Sequence, residues 1–81
     1  VNPQLNAALL AAVEKQILSG SPPETRATVE RLVAAGYTPE GARQLIATAV
    51  AREVFGVMAS GEAYNNERYV AALARLPDIE D

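Results

Sequence analysis

Apolar residues recur along this chain at three- and four-residue spacings rather than in alternation, which is the pattern of helices that each bury one face. At about 100° per residue, Leu5, Leu9, Leu10, Val13 and Ile17 share one broad face opposite Gln4, Glu14 and Lys15. That face is expected to be core. A narrower stripe of Val29, Leu32, Val33 and the methyl of Thr25 follows, leaving Arg26, Glu30 and Arg31 in water. In the third and longest segment Ile46, Val50, Val54, Val57 and Met58 line one side, while Leu45 and Phe55 fall outside that stripe. Two apolar sides on one helix make it the expected central, most buried element. Tyr69, Leu73 and Leu76 give a fourth segment a modest face, suited to lying across the open end of the other three. No segment shows strand alternation bounded by hairpin turns, and no internal repeat is visible.

Punctuation agrees with the periodicity, because prolines sit where the segments start and glycines where they stop. Asn2-Pro3 opens the first and Gly20 closes it. Ser21-Pro22-Pro23-Glu24 reads as a capping box for the second, with Ser21 as N-cap and Glu24 reaching back to it, and Gly36 ends that helix. Thr38-Pro39-Glu40 opens the third, with Glu40 against the positive end of the helix dipole, and Gly61 ends it. Asn65 or Asn66 caps the fourth, which stops before Pro77. The expected fold is an all-α compact bundle of about four helices, the third longest and central. It forms one domain over residues 1–77, with an acidic, frayed tail at 78–81.

Composition narrows the function classes. With 81 residues, folding hides only about 60 to 65% of the unfolded surface, so one thin core is available. The chain has no histidine, cysteine or tryptophan. That removes Ser-His-Asp and Cys-His nucleophile systems, thiolate redox chemistry and imidazole or thiolate metal sites; no catalytic residue, metal or cofactor is expected. Ten acids oppose seven bases for a net charge of -3, and three of those acids (Asp78, Glu80, Asp81) lie in the last four residues, so residues 1–77 are neutral. One lysine and scattered arginines make no basic stripe for a phosphate backbone, and nucleic-acid binding is not expected. The longest apolar run, Ala7 to Val13, has seven residues, far short of a membrane span. No basic region and apolar core follow in series from Val1, so no uncleaved signal peptide is expected. A small chain without cysteine fits a reducing cytoplasm.

Polar groups inside apolar faces are the informative ones. Asn6 falls between Val13 and Ile17 on the helical wheel, and Gln16 between Leu5 and Leu9; each either lines a polar pocket or is satisfied locally, and local satisfaction is the commoner outcome. Arg43 sits in the apolar stripe of the third segment, within reach of Glu14 or Glu40, and Glu53 borders the same stripe. A buried charge needs a partner, so salt bridging is expected ahead of ligand capture. Asn6, Glu14, Glu40 and Arg43 are the candidate ligand-binding residues. Ala42, Ala49 and Gly56 recur every seven residues as a ridge of small side chains. The ridge admits either a helix of the same chain or a second copy, with Leu45 and Phe55 as flanking contacts. Leu45, Ala49, Phe55 and Gly56 are therefore the candidate interface. Tyr37, Tyr64 and Tyr69 have no base placed beside them and read as packing or interface residues.

Val13-Glu14-Lys15-Gln16, Ser21-Pro22-Pro23-Glu24, Glu30-Arg31-Leu32 with Ala35-Gly36, and Pro39-Glu40-Gly41-Ala42-Arg43 resemble, over roughly residues 3 to 58, a family of small helical bacterial proteins of unknown function. That family's pattern carries histidines at places matching Asn6, Leu10, Pro39 and Arg43, as two His-x-x-x-His pairs that imply a metal or polar site. All four are replaced here, and Glu14 and Glu40 alone match its acidic positions. Two carboxylates without imidazoles make a poor transition-metal site. The resemblance implies a helical fold and a bacterial origin. The resulting expectation is a non-catalytic helical interaction domain that self-associates, as in a homodimer, or docks on a protein partner. The alternative is a small-ligand pocket, or a degenerate metal or enzyme-like site, around Asn6, Glu14, Glu40 and Arg43.

Overall fold

A computed structural model describes residues 3–78 as four helices, α1 (Pro3–Ser19), α2 (Pro23–Ala34), α3 (Pro39–Ser60) and α4 (Asn66–Arg75). The N-cap expected at Asn2 and most of the frayed tail lie outside the described residues. With 22 residues α3 is the longest helix, and it packs against each of the other three. The second helix does the same, whereas α1 and α4 approach each other only through side chains.

Val13, Leu32, Ile46, Tyr69 and Leu73 are fully enclosed, and Ala42, Ala47, Ala49 and Leu76 complete the core. Leu9, Leu10, Ile17, Val29, Leu45 and Val50 pack against its margin. The expected faces of α2 and α3 need correction. On α2 the inward residues are Thr25, Thr28 and Leu32, while Val33 stays exposed. The Thr28 hydroxyl is satisfied by donating to the Glu24 carbonyl at 2.7 Å, so the helix tolerates it in the core. On α3 the buried line runs Ala42, Ile46, Ala49, Glu53, and Val54 and Met58 are open to solvent. The cause is length: at 1.5 Å per residue α3 spans about 33 Å against about 18 Å for α2, so its last turns outrun the helices packed on it. Arg31 is exposed as expected, and it also donates to the carbonyls of Leu76 at 2.8 Å and Leu73 at 2.9 Å. It thereby ties α2 to the end of α4, adding a second donor to the Leu73 carbonyl, which already accepts from the Leu76 N–H.

Helix ends carry two outcomes. At α3 the Thr38 side chain accepts from the Gly41 N–H at 3.0 Å, and at α4 the Asn65 side chain accepts from the Arg68 N–H at 3.0 Å. Gly36, at φ 108°, closes α2 with paired bonds from Gly36 N–H to the Val33 carbonyl and from Tyr37 N–H to the Leu32 carbonyl, a Schellman turn that requires a left-handed residue. The capping box at Ser21 does not form. Pro23 forces the residue before it out of helical geometry, and Pro22 is extended at φ -73°, ψ 150°, which makes it the N-cap and shifts Ser21 outside the helix. Thr38→Ala is accordingly expected to cost about 0.5 to 2 kcal/mol, and Ser21→Ala less than about 0.5 kcal/mol. Thermal melts of the two variants side by side check this, and equal losses would contradict the assigned caps.

Candidate functional site

Of the four candidate ligand-binding residues, the fold brings two together. The Arg43 Nε lies 3.3 Å from the Glu14 carboxylate across α1 and α3, with both side chains partly exposed. The contact is electrostatic only, since the same Nε is shielded from solvent and makes no directed hydrogen bond. A partly exposed pair of this kind contributes at most about 1 kcal/mol. Glu40 is exposed in the first turn of α3, and Asn6 is half-buried on α1, about 12 Å along the helix axis from Glu14. These four residues do not enclose a common cleft among the described residues.

Polar groups are used instead as ties between helices. The Gln16 Oε1 accepts from the Thr25 hydroxyl at 2.7 Å and from the Tyr69 hydroxyl at 2.9 Å, joining α1, α2 and α4 at one atom. Burial pushes the Tyr69 phenol above its ordinary pKa, with the hydrogen bonds to Thr25 and Gln16 pulling the other way. Glu53, only 7% exposed, receives the Arg68 guanidinium as a fork, from Nε at 2.8 Å and Nη2 at 2.7 Å, and also accepts the Asn65 N–H at 3.1 Å. The Arg68 hydrogen bonds hold its carboxyl below the usual range against the opposing effect of burial. Arg68 reaches Glu62 as well, at 3.7 Å. Sequence reasoning flagged Gln16 and Glu53 as residues needing partners, but their partners lie on other helices and carry no local signal.

Two surfaces remain. The first is the apolar end of α3, where Val54 is 43% exposed, Phe55 54% and Met58 74%, beside Tyr64 at 55%. Val54, Val57, Met58 and Tyr64 line a shallow cleft of about 220 Å³ there. An adjoining hollow of about 200 Å³ runs between Val50, Val54, Tyr64 and Tyr69. Tyr64 closes one wall, with its ring 6.3 Å from that of Tyr69 and its hydroxyl donating to Asn66 at 2.9 Å. Burial and then the Glu53 charge raise its phenol pKa.

The second surface is a cleft of about 410 Å³ between α3 and α4, lined by the small residues Ala49, Gly56 and Ala72, by Arg52, Arg68 and Arg75, and by the carboxylates of Glu53 and Glu62. Of the four candidate interface residues, Ala49 is buried within the chain, Leu45 is half-buried, and Phe55 and Gly56 are exposed. The small-residue ridge is thus enclosed by the chain at Ala42 and Ala49 and opens only at Gly56. A Cβ added at Gly56 would meet no atom within 4 Å, so packing within the chain gives no reason for a residue that costs roughly 0.5 to 1 kcal/mol relative to alanine in a helix.

Among the described residues no helix is long and apolar enough to cross a membrane. Set against family models, curated proteins and solved structures, the chain matches none of them. The likeness over residues 3 to 58 therefore rests on its short motifs, and the helical fold it implies is the part that the coordinates bear out.

Proposed function

We propose that this chain is a non-catalytic helical interaction module that pairs with a second copy of itself through the apolar end of α3. The observation that carries the reading is the group of exposed apolar side chains at the end of α3, where Val54, Met58 and Tyr64 line one cleft and Phe55 follows Val54 on the helix, also exposed. Its apolar area is on the order of 400 Å², the size at which a surface patch on a small protein is commonly functional. A two-fold contact sets the same patch against itself, so Phe55 and Met58 cover their own counterparts without requiring a separate complementary surface. The area is about half that of a standard interface side, which fits a weak, concentration-dependent dimer in a reducing cytoplasm.

Sedimentation velocity on the whole chain tests the proposal. The expected result is a mass rising toward twice 8.6 kDa as concentration increases from about 10 μM to about 1 mM, the range suited to an interface of this size. Met58→Glu and Phe55→Glu should remain monomeric with unchanged helical circular dichroism. A wild-type chain that is strictly monomeric across the range overturns the proposal, as does dimerisation that survives both substitutions.

A further inference from the structure

Beyond self-association, we infer that the cleft between α3 and α4 binds a small, multiply charged anion bearing phosphate or carboxylate groups. In a chain of net charge -3, three of the six arginines line this one cleft. Arg68 is committed to Glu53 and Glu62. The side chains of Arg52 and Arg75, one from each helix, have no hydrogen-bond or salt-bridge partner among the described residues. Guanidinium forks match phosphate and carboxylate oxygens two at a time, and they do so best when two approach one anion from different sides.

The floor supports the same assignment. Gly56 lies one turn after Arg52 and one turn before Ser60, and all three line the cleft. The helix would be better served by alanine there, and among the described residues no neighbouring atom lies within 4 Å of a Cβ at that position. A missing Cβ lets a ligand come down onto the backbone between the arginines. The volume of about 410 Å³ lies in the range of small-molecule sites. Glu53 and Glu62, which also line the cleft, pair with Arg68, and Asp78 lines an adjoining small recess with Arg52 and Arg75 without a salt bridge to either among the described residues.

Calorimetric titration of the whole chain at low ionic strength with inorganic pyrophosphate, and separately with citrate, tests the site. Saturable one-to-one binding with a Kd below about 1 mM is expected for at least one probe, and which probe binds distinguishes a phosphate from a carboxylate ligand. Arg52→Gln and Arg75→Gln should each weaken binding about tenfold or more. Gly56→Leu keeps every charge and fills the floor, and should abolish binding while the helical signal persists. Lys15→Gln, on an exposed face of α1, should leave it unchanged. Absence of saturable binding to either probe overturns the inference. So does binding that survives Gly56→Leu, or that falls equally in Lys15→Gln, since either result reduces the effect to general charge. Dimer-breaking Met58→Glu should bind as the wild type does, so failure of the proposed pairing and failure of this site are separable.

Discussion

Leu32→Ala is expected to lower the free energy of unfolding by about 2 to 5 kcal/mol, the range for removing a large aliphatic side chain from an enclosed site. Leu32 is wholly inaccessible to solvent, and its companions on the buried face of α2 are the hydroxyl residues Thr25 and Thr28. It is therefore the one large aliphatic side chain on that helix that is fully buried. An 81-residue chain has a total stability of about 4 to 12 kcal/mol, so the variant forfeits a large fraction of it. The melting temperature should fall by more than about 10 °C. Val33→Ala, one residue along and 41% exposed, should cost under about 1 kcal/mol. Similar losses in the two variants would mean that α2 is seated on a different face from the one described.

That contrast marks how far periodicity reaches. The spacing of apolar residues places Leu32 and Val33 in one stripe, and both readings are correct locally, because a helix presents each residue at a definite angle. Which edge of the stripe is enclosed depends on where α3 and α4 lie, and that is a property of the whole chain. Thr28 went unnoticed for the converse reason: its hydroxyl is cancelled by a carbonyl one turn back, so it behaves as an apolar residue of similar size. Punctuation was more legible than burial, since Gly20, Gly36 and Gly61 all have positive φ and stop helices by a purely local mechanism. The exception at Ser21 is also local. A capping box asks for a helical residue where Pro22 stands, and the following Pro23 forbids it, a conflict between two sequence rules that backbone sterics decides.

The candidate surfaces were less legible than the fold. Gly56 and Phe55 stand out in the sequence for their residue types, but the gradient along α3 does not, because a helix that is buried at Ile46 and open at Met58 has one continuous apolar pattern. Exposure there comes from the difference in helix length. The arginines of the α3–α4 cleft are 16 and 7 residues apart in the chain (52 to 68 to 75), with no run or period to join them. They meet because Glu53 takes Arg68 as its partner and so fixes the entry of α4 against α3.

Glu53→Gln tests that last tie, and is expected to cost about 1.5 to 3 kcal/mol at neutral pH, the worth of hydrogen bonds to a charged group. The lower half of the range applies, because Arg68 is 44% exposed and solvent screens part of the attraction. Glutamine keeps the shape of the side chain and one acceptor oxygen for the Asn65 N–H, but its NH2 group replaces the other acceptor of the Arg68 fork, so the loss covers the charge and one arm of that fork. Its sign with pH follows from the direction of the shift. The Glu53 pKa is lowered from the ordinary value of 4.5 in the folded chain, so the unfolded chain binds a proton first as pH falls. The stabilisation is fully present above the unfolded value and drains away as pH drops toward and through the folded one. Thermal melts of wild type and variant at pH 7, 5 and 3 should therefore show a gap that is widest at pH 7 and narrows at pH 3. Amide exchange should show the loss concentrated in α4, whose first turn hangs on Asn65 and Arg68. A gap that stays constant with pH would mean that shape rather than charge seats the helix, and α4 would then hold its place through the burial of Tyr69, Leu73 and Leu76 and the Arg31 hydrogen bonds at its end.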